Sequence, residues 1–145
     1  MRYPIVLFDV DGTLLNSTGA GKRSLQQTFA ELHGVPDAFA NYDFIGATDL
    51  GIVHDAFTMH LHREPSELEV REACERYLAL LETELARPGI QVRVMPGVRE
   101  LLDRLVEAGV AVGMATGNLR RGAYLKTAAV GLDRYFPFGG FGSDC

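Results

Sequence analysis

The sequence predicts an α/β protein, a parallel sheet interrupted by an inserted block of helices. Three observations predict it. Residues 5–9 (IVLFD) form a continuous apolar run rich in branched side chains, as in a strand covered on both faces of a parallel sheet. A second apolar run, residues 110–115, lies between two helical repeats. Between the two runs, apolar residues recur only at helical spacing. Two strand–helix units of parallel type therefore flank a helical insertion.

The first strand spans Ile5 to Asp9, and Gly12 turns the chain. Asn16 and Ser17 are good N-caps for a helix with Leu25, Phe29 and Leu32 on one face, stopped by Gly34 and Pro36. A second helix starts near Thr48, with Ile52, Val53, Ala56 and Phe57 on its apolar side. Ser66 and Glu69 have capping-box spacing. They open a third helix whose stripe is Val70, Cys74, Tyr77, Leu78, Leu81 and Leu85. The segment RPGIQV breaks that repeat and reads as a linker. From Met95 follow a helix ending at Gly109, a strand over 110–115, a short helix over 122–130 and a last short strand over 138–141.

The totals set bounds. Of the 145 residues, 47% are hydrophobic, enough for a packed core. A formal charge of −5 and the lack of a basic run argue against a nucleic-acid partner, and any phosphate must be held by local features. No segment approaches membrane-spanning length. The two cysteines, Cys74 and Cys145, do not make a disulfide framework, so a reducing, cytoplasmic setting is expected. Asp9 and Asp11 interrupt the N-terminal apolar run too early for a signal peptide.

Those two carboxylates carry the chemical signal. Two so close repel unless a positive group sits between them. In open α/β sheets the site lies beyond the carboxyl ends of the strands. Asp9 ends the first strand and Thr116 follows the second, so neighbouring strands would bring Asp9, Asp11 and Thr116 together. One carboxylate can be a nucleophile, and the other can protonate a leaving group and later activate water. A divalent cation on oxygen ligands would relieve the repulsion. Gly12 and Gly117 would let backbone N–H groups approach phosphate oxygens, and the Thr116 hydroxyl adds a donor. These parts fit phosphoryl transfer. Gly117 and Asn118 also read as a turn and helix cap, which is compatible with that role.

The stretch FDVDGTLLNS (residues 8–17) resembles the first motif of the haloacid dehalogenase superfamily, DxDGT after an apolar strand. MATGN (114–118) resembles its second motif, and the inserted helices sit where that superfamily carries a helical cap. The resemblance implies a Rossmann-like core over 1–15 and 95–145 and a helical cap with linkers over 16–94. It implies Asp9 as nucleophile and magnesium ligand, Asp11 as general acid/base with its backbone carbonyl on the magnesium, and Thr116 as a phosphoryl ligand. Gly12, Gly117 and Asn118 would complete substrate binding. The acid at position 11 favours phosphate chemistry over carbon–halogen cleavage. The implied function is that of a phosphatase of the phosphoglycolate-phosphatase group, acting on a small phosphorylated metabolite.

The superfamily pattern needs two further motifs, a lysine and a later acidic pair. Lys126 is the only lysine after the second motif. It could supply the charge, against a solvated place on its short helix, which the sequence favours. Asp144 is weighed as the missing acid and set aside. With no later strand, the first strand would be an open edge, so the 145 residues are expected to be part of a longer chain. A sugar-phosphate mutase is the alternative; Asp49 stands where such enzymes tend to place a basic residue. A non-catalytic binding or regulatory module is the other alternative, if the chain truly ends at Cys145. His54, His60 and His62 read as solvated, Glu67, Glu69, Glu72 and Glu75 as a solvated helix face, and Phe44 to Gly46 as either a substrate-facing loop or cap packing.

Overall fold

The structure is a computed structural model and describes residues 4–143. Asp144 and Cys145, singled out above, lie outside the described residues. Strand β1 (Ile5–Phe8) runs parallel to β4 (Ala111–Ala115), with Ile5 opposite Ala111 and Phe8 opposite Met114. β4 pairs in turn with the parallel strand β5 (Phe138–Gly140), giving the order β1-β4-β5. The parallel α/β class is the one the apolar runs imply.

β1 is less covered than expected. Ile5 and Leu7 are 62% and 54% exposed, while Val6 and Phe8 are half-buried. The strand stands at the edge of the sheet among the described residues, so one face is packed and the other is open. The central strand β4 is the buried one, through Val112, Gly113 and Met114.

Two apolar cores form. One holds Val10, Leu14, Val112 and Met114 together with Val98 and Leu102 of helix α4 (Val98–Glu107) and Ala123 of helix α5 (Arg120–Ala128). The other joins Leu25 and Phe29 of α1 (Ala20–His33), Ile52 and Val53 of α2 (Asp49–Ala56), and Ala73, Tyr77 and Leu81 of α3 (Glu67–Ala86). Leu119, at the start of α5, belongs to this helical core, and α3 packs on α5. The helical layer therefore rests directly on the end of the sheet that carries Thr116.

Local chemistry explains the helix ends. Ser66 and Glu69 form the reciprocal capping box that the spacing predicts. Thr48 caps α2 by accepting the Gly51 N–H at 3.0 Å. α1 departs from the expectation. Gly19, in the left-handed conformation, precedes it, and the Asn16 side chain instead accepts the Thr18 N–H at 2.8 Å, closing a turn. Leu32, expected on the buried face, is 39% exposed. α5 begins at Arg120 and β4 at Ala111, each displaced by one or two residues from the sequence reading.

The segments that cross between the two cores pair with each other. β2 (Leu15–Asn16) is antiparallel to β3 (Arg93–Val94), and the Met95 N–H donates to the Leu14 carbonyl at 2.9 Å. Two-residue strands are too short for any periodicity to show. α2 runs on into a wide π-type turn, Phe57–Leu61, which ends at His62. Here the His60 ring donates to the Ala38 carbonyl at 2.7 Å, so His60 is a packing anchor rather than a solvated side chain. His54 meets Glu64 at 3.3 Å on the surface. Among the described residues no helix is long and apolar enough to cross a membrane.

Leu102 is fully buried in the sheet-side core. Leu102→Ala should lower unfolding stability in urea by about 2–5 kcal/mol, the cost of a large-to-small change in a closed core. A change below about 0.5 kcal/mol would mean that the site collapses around the gap or that α4 is not packed there.

Candidate active site

The carboxyl ends of β1 and β4 lie side by side, and the side chains just beyond them meet. Asp9 follows β1, and one of its carboxylate oxygens accepts the Val10 N–H at 2.7 Å. Asp11 sits one residue further, with its side chain 49% exposed. Its positive partner is Lys126, whose ammonium donates to both Asp11 oxygens at 3.0 Å and to Asn118 Oδ1 at 2.8 Å. Lys126 is only 5% exposed, so the expected solvated position on α5 is wrong. Burial without partners would be prohibitive for an ammonium. The three acceptors are what hold it there.

Asn118 ties the constellation together. Its side-chain amide donates to Asp11 at 2.9 Å and to the Thr116 hydroxyl at 2.7 Å, and its own N–H donates to that hydroxyl at 3.1 Å. The Thr116 oxygen thus accepts two hydrogen bonds, which leaves its proton to be donated elsewhere. The Gly117 N–H has no acceptor among the described residues, while the Gly12 N–H is held by the Leu15 carbonyl at 2.8 Å. Of the two glycines expected to offer an amide to phosphate, only Gly117 has one free.

Gly117 is confined on two sides. A Cβ there would lie 2.7 Å from the Ala47 carbonyl oxygen, and a Cβ on Gly142 would lie 2.1 Å from the Gly117 oxygen. No larger residue fits at either place without moving backbone. Asp49, at the start of α2, closes the clasp. Its N–H donates to the Gly117 carbonyl at 2.9 Å, and its carboxylate accepts the Leu119 N–H at 2.8 Å. Burial, only partly offset by the Leu119 N–H and by Lys126, pushes the Asp49 carboxyl up.

A cavity of about 700 Å³ opens over these groups, between the sheet end and the helical layer. Asp9, Asp11, Gly12, Thr116, Gly117, Asn118 and Lys126 all line it, so the structure gathers every site residue the sequence nominates. The loop Phe44–Gly46 borders the cavity too, with Ile45 92% exposed. Lys22 and Tyr77, which had no functional reading in the sequence, line it as well, as does Asp49, which was read there only as standing where a mutase would carry a basic residue. Tyr77 looked like core because it sits on the α3 stripe. Lys22 is exposed and has no ion-pair partner among the described residues. The Cys74 thiol is pushed up to about 11, chiefly by burial, and is an inert packing group.

For a divalent ion the donors are of the right kind. One Asp9 oxygen remains free, and the Asp11 main-chain carbonyl accepts no hydrogen bond among the described residues. Hard oxygen donors of this sort suit magnesium. Among the described residues no group of three or more His, Cys, Asp or Glu gathers at one point; these two oxygens would supply part of a coordination shell.

The sequence matches the family described as haloacid dehalogenase-like hydrolase over residues 6–144. A phosphoglycolate phosphatase from Agrobacterium fabrum is 28% identical over 134 residues, covering 92% of this chain and 56% of the relative. A phosphoglycolate phosphatase from Xanthomonas campestris is 32% identical over 121 residues, covering 81% of this chain and 51% of the relative. The chain thus spans about half the length of the curated relatives it matches. Among solved structures, CbbY from Rhodobacter sphaeroides in complex with phosphate superposes with a TM-score of 0.72 at 19% identity, covering 99% of this chain and 65% of that one. A hydrolase from Pseudomonas syringae gives 0.68 at 19% identity, covering 99% and 61%. At such identities the two structures show a shared fold.

The buried Asp49 carboxyl gives a pH test. Because folding raises its proton affinity above the ordinary 3.8, its contribution is fully present below that value and is lost as pH rises through the raised one. Asp49→Asn keeps an oxygen for the Leu119 N–H but removes the charge. The variant should therefore melt above the unaltered chain at about pH 7, with the difference vanishing at about pH 4 or below. A variant that melts lower at neutral pH would show that the charge itself holds the clasp.

Proposed function

The chain belongs to the haloacid dehalogenase-like hydrolase family, and from that membership we propose that it is a phosphatase that hydrolyses a small phosphorylated metabolite through an aspartyl-phosphate intermediate with magnesium. The observation that carries the reading is the meeting of Asp9, Asp11, Thr116, Asn118 and Lys126 in one cavity at the carboxyl ends of β1 and β4.

The free Asp9 oxygen attacks phosphorus, and the ester P–O bond breaks. The departing oxygen takes a proton from Asp11. Asp11, now a carboxylate, removes a proton from water. The water oxygen attacks the aspartyl phosphate, releasing inorganic phosphate and restoring Asp9. Thr116 donates its remaining proton to a phosphoryl oxygen, and the Gly117 N–H donates to another. An entering phosphate competes with Asp11 for the Lys126 ammonium, which frees Asp11 to carry the proton it must deliver. The Asp9 carboxylate and the Asp11 carbonyl would hold magnesium, which supplies positive charge to the phosphoryl oxygens when bound.

Residues 16–94 act as a cap in this reading. The paired β2–β3 crossing supports a hinge there, and closure would exclude water. The curated relatives support a substrate of the phosphoglycolate class, a phosphate ester whose alcohol bears a carboxylate. Lys22, a cation at the cavity with no ion-pair partner among the described residues, suits such a group. The cysteine usage supports a cytoplasmic setting.

Asp9→Asn should abolish turnover of phosphoglycolate with magnesium, since the amide is a poor nucleophile. Asp11→Asn should cost about 10²–10⁴-fold in kcat, the range of a general acid–base group. Turnover within a few-fold of the unaltered chain in either variant would assign the role to another residue. Lys126→Met is a third case. Removing one partner of a buried ion pair leaves its acceptors unpaired, here Asp11 and the Asn118 carbonyl, so its melting temperature should fall, and kcat should fall about 10²-fold with the loss of its charge. Full activity in a stable Lys126→Met protein would remove the ammonium from the mechanism.

A further inference from the structure

Tyr77 is almost completely buried, at 2% exposure, yet its hydroxyl forms no hydrogen bond among the described residues. A phenol in a core normally has a partner; this oxygen has none, yet it is not among the fully buried polar atoms left unpaired, because it opens into the cavity. Here the side chain belongs at once to the helical core and to the wall of the cavity. Its ring packs among the apolar side chains, and its oxygen is left to the cavity.

The neighbouring residue on α1 is a glycine. A Cβ on Gly21 would lie 3.7 Å from the Tyr77 hydroxyl and 3.6 Å from the Lys126 ammonium. Alanine is a better helix former at such a position, and its methyl would make only ordinary contacts. What it would do is fill space that borders both the hydroxyl and the ammonium. Lys126 is bound to Asp11, and Asp11 lies within electrostatic reach of the hydroxyl in the lining of the same cavity. Burial, with Asp49 and Asp11 nearby, pushes the phenol well up, and it stays a neutral donor at any working pH.

We propose that Tyr77 is a specificity residue of this site, its hydroxyl donating a hydrogen bond to an oxygen on the organic part of the phosphate ester, in the space kept open by Gly21. The inference deepens the phosphatase reading and rests on it. It selects esters whose alcohol carries a carboxylate or hydroxyl close to the ester oxygen over plain alkyl esters of the same length. A site built to hydrogen-bond a polar substrate group discriminates strongly against the analogue that lacks it.

Tyr77→Phe tests this without disturbing the core, since the ring remains. The ratio of kcat/KM for phosphoglycolate to that for ethyl phosphate should fall at least about tenfold, with the melting temperature unchanged. Gly21→Ala should lower the same ratio by filling that space. A ratio in Tyr77→Phe within about twofold of the unaltered chain's overturns the proposal. Calorimetric titration with phosphoglycolate and with inorganic phosphate separates this from the phosphatase reading, because it needs no turnover. Loss of phosphoglycolate affinity with phosphate affinity retained supports the role of Tyr77 even if the chain hydrolyses neither ester. Unchanged phosphoglycolate affinity, or no binding of it to the unaltered chain, overturns the proposal.

Discussion

A buried ammonium between two oxygen-bearing side chains is the interaction on which the site depends. Lys126 donates to Asp11 and to Asn118 while almost wholly shielded from water. It answers the repulsion that Asp9 and Asp11 would otherwise exert on each other at the end of β1. It also dictates the rest. With its carbonyl held by Lys126, Asn118 must turn its amide toward Asp11 and Thr116. That orientation leaves the Thr116 proton free to be donated. Charge-assisted bonds of this kind are stronger and more directional than neutral ones, so one cation sets the positions of three polar side chains from two elements.

A second constraint fixes the helical layer over these groups. Asp49 straddles Asn118, bonded on one side to Gly117 and on the other to Leu119. The Gly142 N–H holds the Asn118 carbonyl from the opposite direction at 2.9 Å. The loop that follows β4 is therefore gripped from both faces, and only glycine at 117 and 142 permits the approach. The clasp lies at the start of α2, and the β2–β3 crossing lies where the chain enters and leaves the helical segment. Release of the first would let the layer move about the second, the arrangement expected of an active-site cover.

Much of this was legible in the sequence, and the reasons differ by element. The β1 and β4 runs announced a parallel sheet because branched apolar residues recur without polar interruption. The Ser66–Glu69 box was readable because both partners lie within one turn of helix. Asp9, Asp11 and Thr116 could be brought together because strand ends are fixed points in α/β topology. Lys126 was misjudged. Its burial rests on partners 115 and 8 residues away, and no local pattern distinguishes such a lysine from a solvated one. Tyr77 was hidden for the opposite reason, since a cavity-facing tyrosine on a helical stripe has the periodicity of core. The exposure of Ile5 and Leu7 could not be foreseen from composition, because coverage of a strand depends on which other elements reach it.

The claim at the centre of this account is that Asp9 forms a covalent bond to phosphorus while Asp11 manages the protons. The most direct measurement traps that bond. The Asp11→Asn chain, in which release by water is slowed, is incubated with magnesium and p-nitrophenyl phosphate, whose leaving group needs no proton from residue 11, then quenched in acid and reduced with borohydride before peptide mass spectrometry. The account predicts conversion of Asp9, and of no other carboxylate, to homoserine, dependent on the ester and absent in a chain that also carries Asp9→Asn. Turnover with no reducible acyl phosphate, or a label on a different residue, would contradict it.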